Sequence, residues 1–266
     1  VSRPAAVVPP ATIGVLGGGQ LGRYVVVAAR TMGYRTVVLE PDPHAPAGAV
    51  ADEHLVAAYD DPGALAVLAE RCAVVTTEFE NPPMEALAWL AGHTRVHPSP
   101  EAVGIAQDRR AEKRFLRDAG FPVGPFVVVE TAADLTTAPM GPVILKTARL
   151  GYDGKGQRSV TGPAAVAAAW DELGRVPCVA EERLALRAEV SVVVARTASG
   201  AVAPFTATAN THRDGILELS VAPAPADLRG PASDLAVAVA DALGYVGVLG
   251  VELFVVDGAL LVNELA

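Results

Sequence analysis

The chain has 266 residues, 51% of them hydrophobic and 19% charged, enough apolar material for a sizeable core in one large domain or a few smaller ones. A net charge of −9 argues against a general affinity for nucleic acid or an anionic membrane, since a surface that tracks phosphates needs clustered cations. No apolar run approaches the roughly eighteen residues of a membrane span, and the start "VSRPAAVVPPATIGVLGGG" lacks a signal-peptide pattern, so a cytoplasmic globular protein is expected, with a frayed leader over residues 1–11.

The first elements form a βαβ unit. "TIGVL" from Thr12 is an apolar strand, "GGGQLG" a turn, "RYVVVAARTMG" has helical length, and "TVVLE" is β-branched. Asp61 and Pro62 then read as cap and first turn of a helix to Arg71, followed by the strand "AVVTTEFE" and a helix from about Met84 to Leu90. Such alternation implies a doubly wound parallel sheet over residues 12–119. Cys72 and Cys178 sit far apart in apolar surroundings and are expected as buried free thiols, not as a disulfide or metal ligands. A helix from Arg109 to Ala119 carries the one dense basic run, Arg109, Arg110, Lys113, Arg114 and Arg117, which reads as a solvated face with one member able to reach a ligand.

"GFPVGP" after Ala119 is a hinge. Residues 120–185 read as a small α+β unit: strands "FVVV" and "PVILKT", a glycine loop, a helix from about Pro163 to Leu173 and a strand ending "CVAEE". Residues 186–266 read as an antiparallel sheet built from "EVSVVVAR", "AVAPFT", "GILELSV", "VLGVELFVV" and "ALLVNELA", with a helix near Asp234 to Leu243. The chain stops in mid-strand at Leu265 and Ala266, which reads as a truncated chain or a piece of a longer one.

Several motifs carry chemistry. Gly17, Gly19 and Gly22 fit G-x-G-x-x-G between strand and helix, with Glu40 closing the next strand, the context of a dinucleotide-binding turn; a tight turn holding another anion, or nothing, fits equally. The chain has three lysines, and two of them, Lys146 and Lys155, bracket "TARLGYDG". The loop lacks Walker A spacing, but its backbone N–H groups can fold over phosphate oxygens while Lys146 supplies a point charge from the strand; a plain hairpin loop is the alternative. Glu181 ends an apolar strand where it can accept from a base or ribose hydroxyl, whereas consecutive carboxylates such as Glu181 and Glu182 ordinarily mean exposure. Asn210, His212, Arg213 and Asp214 read as one polar loop. Glu252 and Glu264 lie in apolar strands joined by a "DGA" turn, where charge is costly unless paired or ligated, so binding of a hard cation such as Mg²⁺ is a natural solution. Register tests this: a two-residue Asp257-Gly258 turn pairs Glu252 with Asn263 and turns Glu264 away, while a three-residue loop, or a bulge, sets the two acids on one face.

Taken together, "GGGQLGR", "EFENPP", "QDRRAEKRFL", "ILKTARLGYDGKGQ", "EVSVVV", "THRDGILELSVAP" and "GVLGVELFV" with "LLVNELA" resemble the ATP-grasp superfamily over Thr12 to Ala266, and within it the N5-carboxyaminoimidazole ribonucleotide synthetases of purine synthesis. The resemblance implies an ATP-grasp fold: a parallel-sheet domain, a lid, and an antiparallel ATP-binding sheet that is incomplete here. It also implies that ATP phosphorylates bicarbonate to carboxyphosphate, from which the amine of aminoimidazole ribonucleotide takes the carboxyl group. By matching motif, ATP contacts fall on Arg109, Lys146, Gly151, Tyr152, Asp153, Gly154, Lys155, Gly156, Gln157, Glu181, Glu182, Arg183, Leu184, Glu189, His212, Asn263 and Glu264, and magnesium, expected as two ions, on Glu252 and Glu264. Gly19, Gln20, Leu21, Glu78 and Asn81 fall on the ribonucleotide side, with Tyr152, Asp153, Lys155 and Glu78 as catalytic candidates. A homodimer is implied. The family continues beyond "NELA" with a further small domain, so a molecule ending at Ala266 is expected to turn over poorly while still binding nucleotide. Competing readings are another ATP-grasp carboxylate-amine ligase, a nucleotide sensor, and an NAD(P)-dependent oxidoreductase built on the glycine turn.

Overall fold

The structure, a computed structural model, describes residues 6–151, 155–213 and 215–266. The chain divides into two compact units, one of residues 1–104 with 197–199 and 245–247, the other of residues 105–196, 200–244 and 248–266.

In the first unit β1 (Thr12–Leu16), α1 (Gln20–Thr31), β2 (Arg35–Leu39), β3 (Glu53–Leu55), α2 (Pro62–Arg71), β4 (Val74–Thr77) and α3 (Met84–Ala91) follow one another. Their strands form a parallel sheet in the order β3-β2-β1-β4. Both of its faces are covered, as parallel sheets require. Leu16, Leu39, Leu68, Leu87 and Leu90 belong to one core cluster, and Val15, Val26, Val38 and Ala47 to another. α2 starts as expected: the Asp61 side chain accepts from Ala64 N at 2.8 Å and Pro62 occupies the first turn. Residues 6–11 are tied down at Tyr34, whose hydroxyl donates to Val7 O, and at Arg35 N, which donates to Ala11 O. α4 (Pro100–Gln107) spans the boundary between the units.

The second unit begins with α5 (Arg109–Asp118), capped by Asp108. Next come β5 (Phe126–Val129), β6 (Pro142–Thr147), β7 (Gln157–Thr161), α6 (Pro163–Glu172) and β8 (Cys178–Glu182), whose strands make an antiparallel sheet in the order β5-β8-β6-β7. Trp170, Val166, Leu145 and Val143 fill its core. A larger sheet follows from β9 (Ala188–Arg196), β10 (Val202–Pro204), β11 (Thr208–Arg213), β12 (Ile216–Val221), α7 (Ala226–Ala242), β13 (Gly247–Val256) and β14 (Ala259–Leu265). Its order is β12-β11-β9-β13-β14, with β10 also pairing β9.

Two expectations fail here for physical reasons. Thr208–Arg213 is a strand and not a polar loop, because β9 and β12 pair its backbone on both sides, and paired main-chain groups tolerate polar side chains. α7 starts at Ala226, ahead of the expected Asp234, and runs through Pro231. Buried Leu228, Ala232, Ala236 and Val239 form a continuous stripe across the proline, and their burial outweighs the missing hydrogen bond.

Candidate active site

The glycine turn after β1 is occupied by the protein's own acids. Gly19 N and Gly22 N donate to the two carboxylate oxygens of Glu78, at 2.9 and 3.1 Å, and Gly18 N donates to Glu40 at 2.8 Å. The glycines are needed for this close approach: a Cβ on Gly19 would lie 2.9 Å from Glu78 Oε1, and one on Gly18 would lie 2.4 Å from Glu40 Cγ. Glu40 also accepts from the Tyr59 hydroxyl and from Asp42 N. The helix N-terminus that would take a pyrophosphate and the acid that would hold a ribose hydroxyl are therefore both engaged inside the fold. Gln20 and Leu21 are exposed at the start of α1. Asn81 Oδ1 is buried with no hydrogen-bond partner among the described residues.

In the second unit charged residues of α5, β6 and β8 meet. Glu181, 7% exposed at the end of β8, lies 3.3 Å from Lys146 Nζ and 3.5 Å from Lys113 Nζ. Burial works against its charge, but Lys146 and Lys113 outweigh that and hold its carboxyl below the ordinary range. β6 brings Lys146 there by running antiparallel to β8, with Ile144 opposite Glu181. Lys113 also donates to Asn263 O at 2.8 Å. The solvated-face reading of α5 holds for Arg114 and Arg117, which are exposed, but not for Lys113, which with Glu112 is buried at 2% and 1% exposure. Burial pushes the Glu112 carboxyl well up, Lys113 opposing and Glu264 adding to the rise, and Glu112 Oε1 accepts from Leu265 N at 3.2 Å.

The hairpin of β13 and β14 resolves the register question by the bulge. Its turn is the two-residue one, with Val256 opposite Ala259, and pairing runs regularly to Leu253 opposite Val262; the register then shifts so that Glu252 faces Glu264. Asn263 is the extra residue. Its Nδ2 lies 3.4 Å from Glu252 Oε2, and its Oδ1 is buried with no hydrogen-bond partner among the described residues. Burial raises the Glu252 carboxyl above its ordinary range, and Glu264 raises it further. Arg109 Nη1 holds Glu264 at 2.9 Å. Its guanidinium is pulled above its ordinary range by Glu264, against the effect of burial. The same guanidinium donates to Gly151 O at 3.3 Å, which ties the root of the glycine loop to the acids.

Other expected residues fall around this cluster. His212 Nδ1 lies 2.9 Å from Glu189 Oε2 across neighbouring strands, and both contribute to the field at Glu252. Beyond Glu181, Glu182 N and Arg183 N are held by Pro125 O and Pro142 O, and Leu184 packs near Gly124. Gln157 pairs with Lys146 across β6 and β7. Gly156, at φ 71°, accepts from Thr147 N at 2.8 Å, and Lys155 is exposed beside it. Tyr152, Asp153, Gly154 and Asp214 lie outside the described residues. Sequence reasoning missed Glu112 and Lys113. The signal was there: they follow Arg109 at i+3 and i+4 with Leu116 at i+7, so one helical stripe joins all of them to the only fully buried apolar side chain of the helix.

Family models and similar proteins cover nearly the whole chain. A family model described as ATP-grasp domain matches residues 114–266, and one described as ribonucleotide synthetase preATP-grasp domain matches residues 10–107. The N5-carboxyaminoimidazole ribonucleotide synthase of Brucella melitensis is 45% identical over 266 residues, covering 97% of this chain and 74% of that protein. The structure of N5-carboxyaminoimidazole synthetase from Staphylococcus aureus complexed with ADP superposes with a TM-score of 0.92 at 35% identity, over 98% of this chain and 71% of that one. The Aspergillus clavatus N5-carboxyaminoimidazole synthase, in complex with ADP and 5-aminoimidazole ribonucleotide, gives 0.85 at 27% identity, over 96% of this chain and 69% of that one. With the N–H groups of its glycine turn taken by Glu78, Glu252 set opposite Glu264, and relatives matched over nearly the whole of this chain and about seven-tenths of their own length, the chain belongs to the N5-carboxyaminoimidazole ribonucleotide synthetase family of ATP-grasp ligases.

Proposed function

We infer that the chain is an ATP-dependent carbon–nitrogen ligase of purine biosynthesis. It carboxylates 5-aminoimidazole ribonucleotide with bicarbonate to N5-carboxyaminoimidazole ribonucleotide, by way of carboxyphosphate, releasing ADP and phosphate. The observation that carries this reading is the bulge that sets Glu252 opposite Glu264 while Arg109 links Glu264 to the glycine loop.

In this reading Lys146 leaves Glu181 to meet the nucleotide phosphates, while Lys113, buried beneath, keeps Glu181 ionised. Arg109 and Lys155 add positive charge where negative charge gathers on the oxygens during phosphoryl transfer. Glu181 to Leu184 and Glu189 take the base and ribose, with His212 oriented by Glu189. Residues 120–185 serve as the cover that keeps water from carboxyphosphate; Gly151 and Lys155 to Gln157 belong to it, while the expected Tyr152, Asp153 and Gly154 lie outside the described residues. On the ribonucleotide side, Gly19, Gln20, Leu21, Asn81 and the Glu78 carboxylate, an acceptor suited to an amine, are the candidate contacts. The residues fit magnesium: two facing carboxylates, one with a raised pKa, and the orphaned Asn263 Oδ1 form an oxygen donor set. Glu252, Asn263 and Glu264 would hold it, and bound there it supplies charge neutralisation for the triphosphate. A homodimer and a cytoplasmic location belong to the same reading; no helix among the described residues is long and apolar enough to cross a membrane.

The test is ADP release and transfer of labelled bicarbonate carbon to the ribonucleotide, measured with each substrate omitted in turn. ADP release that depends on both ribonucleotide and bicarbonate is expected. Hydrolysis indifferent to the ribonucleotide would point to another carboxylate-amine ligase, and calorimetric binding of NADH without ATP binding would overturn the ligase reading.

A further inference from the structure

α5 grips β14 through one helix face, and the grip falls on consecutive residues of the strand. Lys113 donates to the Asn263 carbonyl at 2.8 Å, Arg109 meets the Glu264 side chain at 2.9 Å, and Glu112 accepts from Leu265 N at 3.2 Å. Arg109, Glu112 and Lys113 share that face because they stand at i, i+3 and i+4. Of these, only Arg109 touches a functional side chain of the strand. Glu112 and Lys113 hold main chain, and they do so while almost fully buried. Burial of two such polar side chains is costly unless their partners are in place, so the contacts are specific to this register.

The register is what matters. A two-residue turn, left to itself, continues regular pairing from Leu253 and Val262 to Glu252 and Asn263, and turns Glu264 to the opposite face of the sheet. The bulge at Asn263 prevents this, and the two main-chain groups flanking Glu264 are those held by Lys113 and Glu112. We propose that Glu112 and Lys113 are positioning residues that lock β14 in its bulged register and so aim Glu264 at Glu252 for a divalent cation. Neither touches ligand, and the inference rests on the reading of Glu252 and Glu264 as the cation pair.

Glu112→Met and Glu112→Gln test this as a pair, since both remove the ionisable carboxyl at similar size while only glutamine keeps an oxygen for Leu265 N. The probe is Mn²⁺, titrated by electron paramagnetic resonance in the presence of a non-hydrolysable ATP analogue, with analogue affinity measured separately without metal and thermal unfolding as the fold control. Glu112→Met is expected to weaken Mn²⁺ binding by about tenfold or more, as loss of an outer-shell support does, with metal-free analogue binding unchanged, whereas Lys113→Met is expected to weaken both, because Lys113 also pairs with Glu181. Glu112→Gln is expected to restore native Mn²⁺ affinity. Native Mn²⁺ affinity in folded Glu112→Met, or a loss in Glu112→Gln equal to that in Glu112→Met, overturns the proposal. If the methionine variants do not fold, Glu112→Gln decides alone: a tenfold loss there overturns it. Absence of Mn²⁺ binding in the native chain would instead remove the cation reading beneath it, before any variant is compared.

Discussion

Glu78 shows how one side chain can close off a reaction class. Its two oxygens take the N–H groups of Gly19 and Gly22, the groups a dinucleotide turn would offer to a pyrophosphate. Glu78→Ala should therefore destabilise the chain by about 1–2 kcal/mol in urea unfolding, because those donors then depend on water for a partner. An unchanged midpoint would show that the contacts are incidental. At the same scale, burial pushes the thiols of Cys72 and Cys178 up to about 11, so at pH 8 only about one thiol in a thousand is thiolate. Ellman's reagent should find no fast-reacting thiol in the folded chain, and both cysteines should react in guanidinium. The expectation of buried free thiols was legible in the sequence because apolar neighbours alone decide it.

At the scale of the element, the hairpin of β13 and β14 separates what a local sequence controls from what it cannot. Asp257 and Gly258 occupy left-handed conformations, at φ 48° and 82°, and this fixes the two-residue turn. Gly258→Ala should cost about 1 kcal/mol in thermal or urea unfolding although an added Cβ there meets nothing within 4 Å. A neutral result would mean that the turn changes shape to accept alanine. The turn chemistry favours the register that separates Glu252 from Glu264, and only the bulge reverses it. Helix caps behave in the opposite way: Asp61 and Pro62 start α2 with groups that are close in sequence, so the start was readable. Asp61→Ala should cost about 1 kcal/mol, read as a lowered urea midpoint.

At the scale of the whole molecule, the charged cluster lies in one compact unit and the glycine turn in the other. Nucleotide should accordingly protect the amides of α5, β6, β13 and β14 in hydrogen exchange. At a hundred times its dissociation constant the added stability should be about 2.7 kcal/mol. Protection confined to the β1–α1 turn would contradict the assignment of the nucleotide to the second unit.

The amino-acid sequence by itself determined the parallel βαβ start, the caps, the turns and the motif residues, because periodicity, glycine conformation and capping act over a few residues. It left open whether Glu252 and Glu264 share a face, and it did not show that Lys113 and Glu112 turn inward while Arg114 and Arg117 face solvent. Tertiary structure decided both, through contacts such as Lys113 to Asn263, 150 residues apart. A charge can be buried, and a bulge held in place, only when a distant partner supplies the compensating group. No local pattern announces that partner.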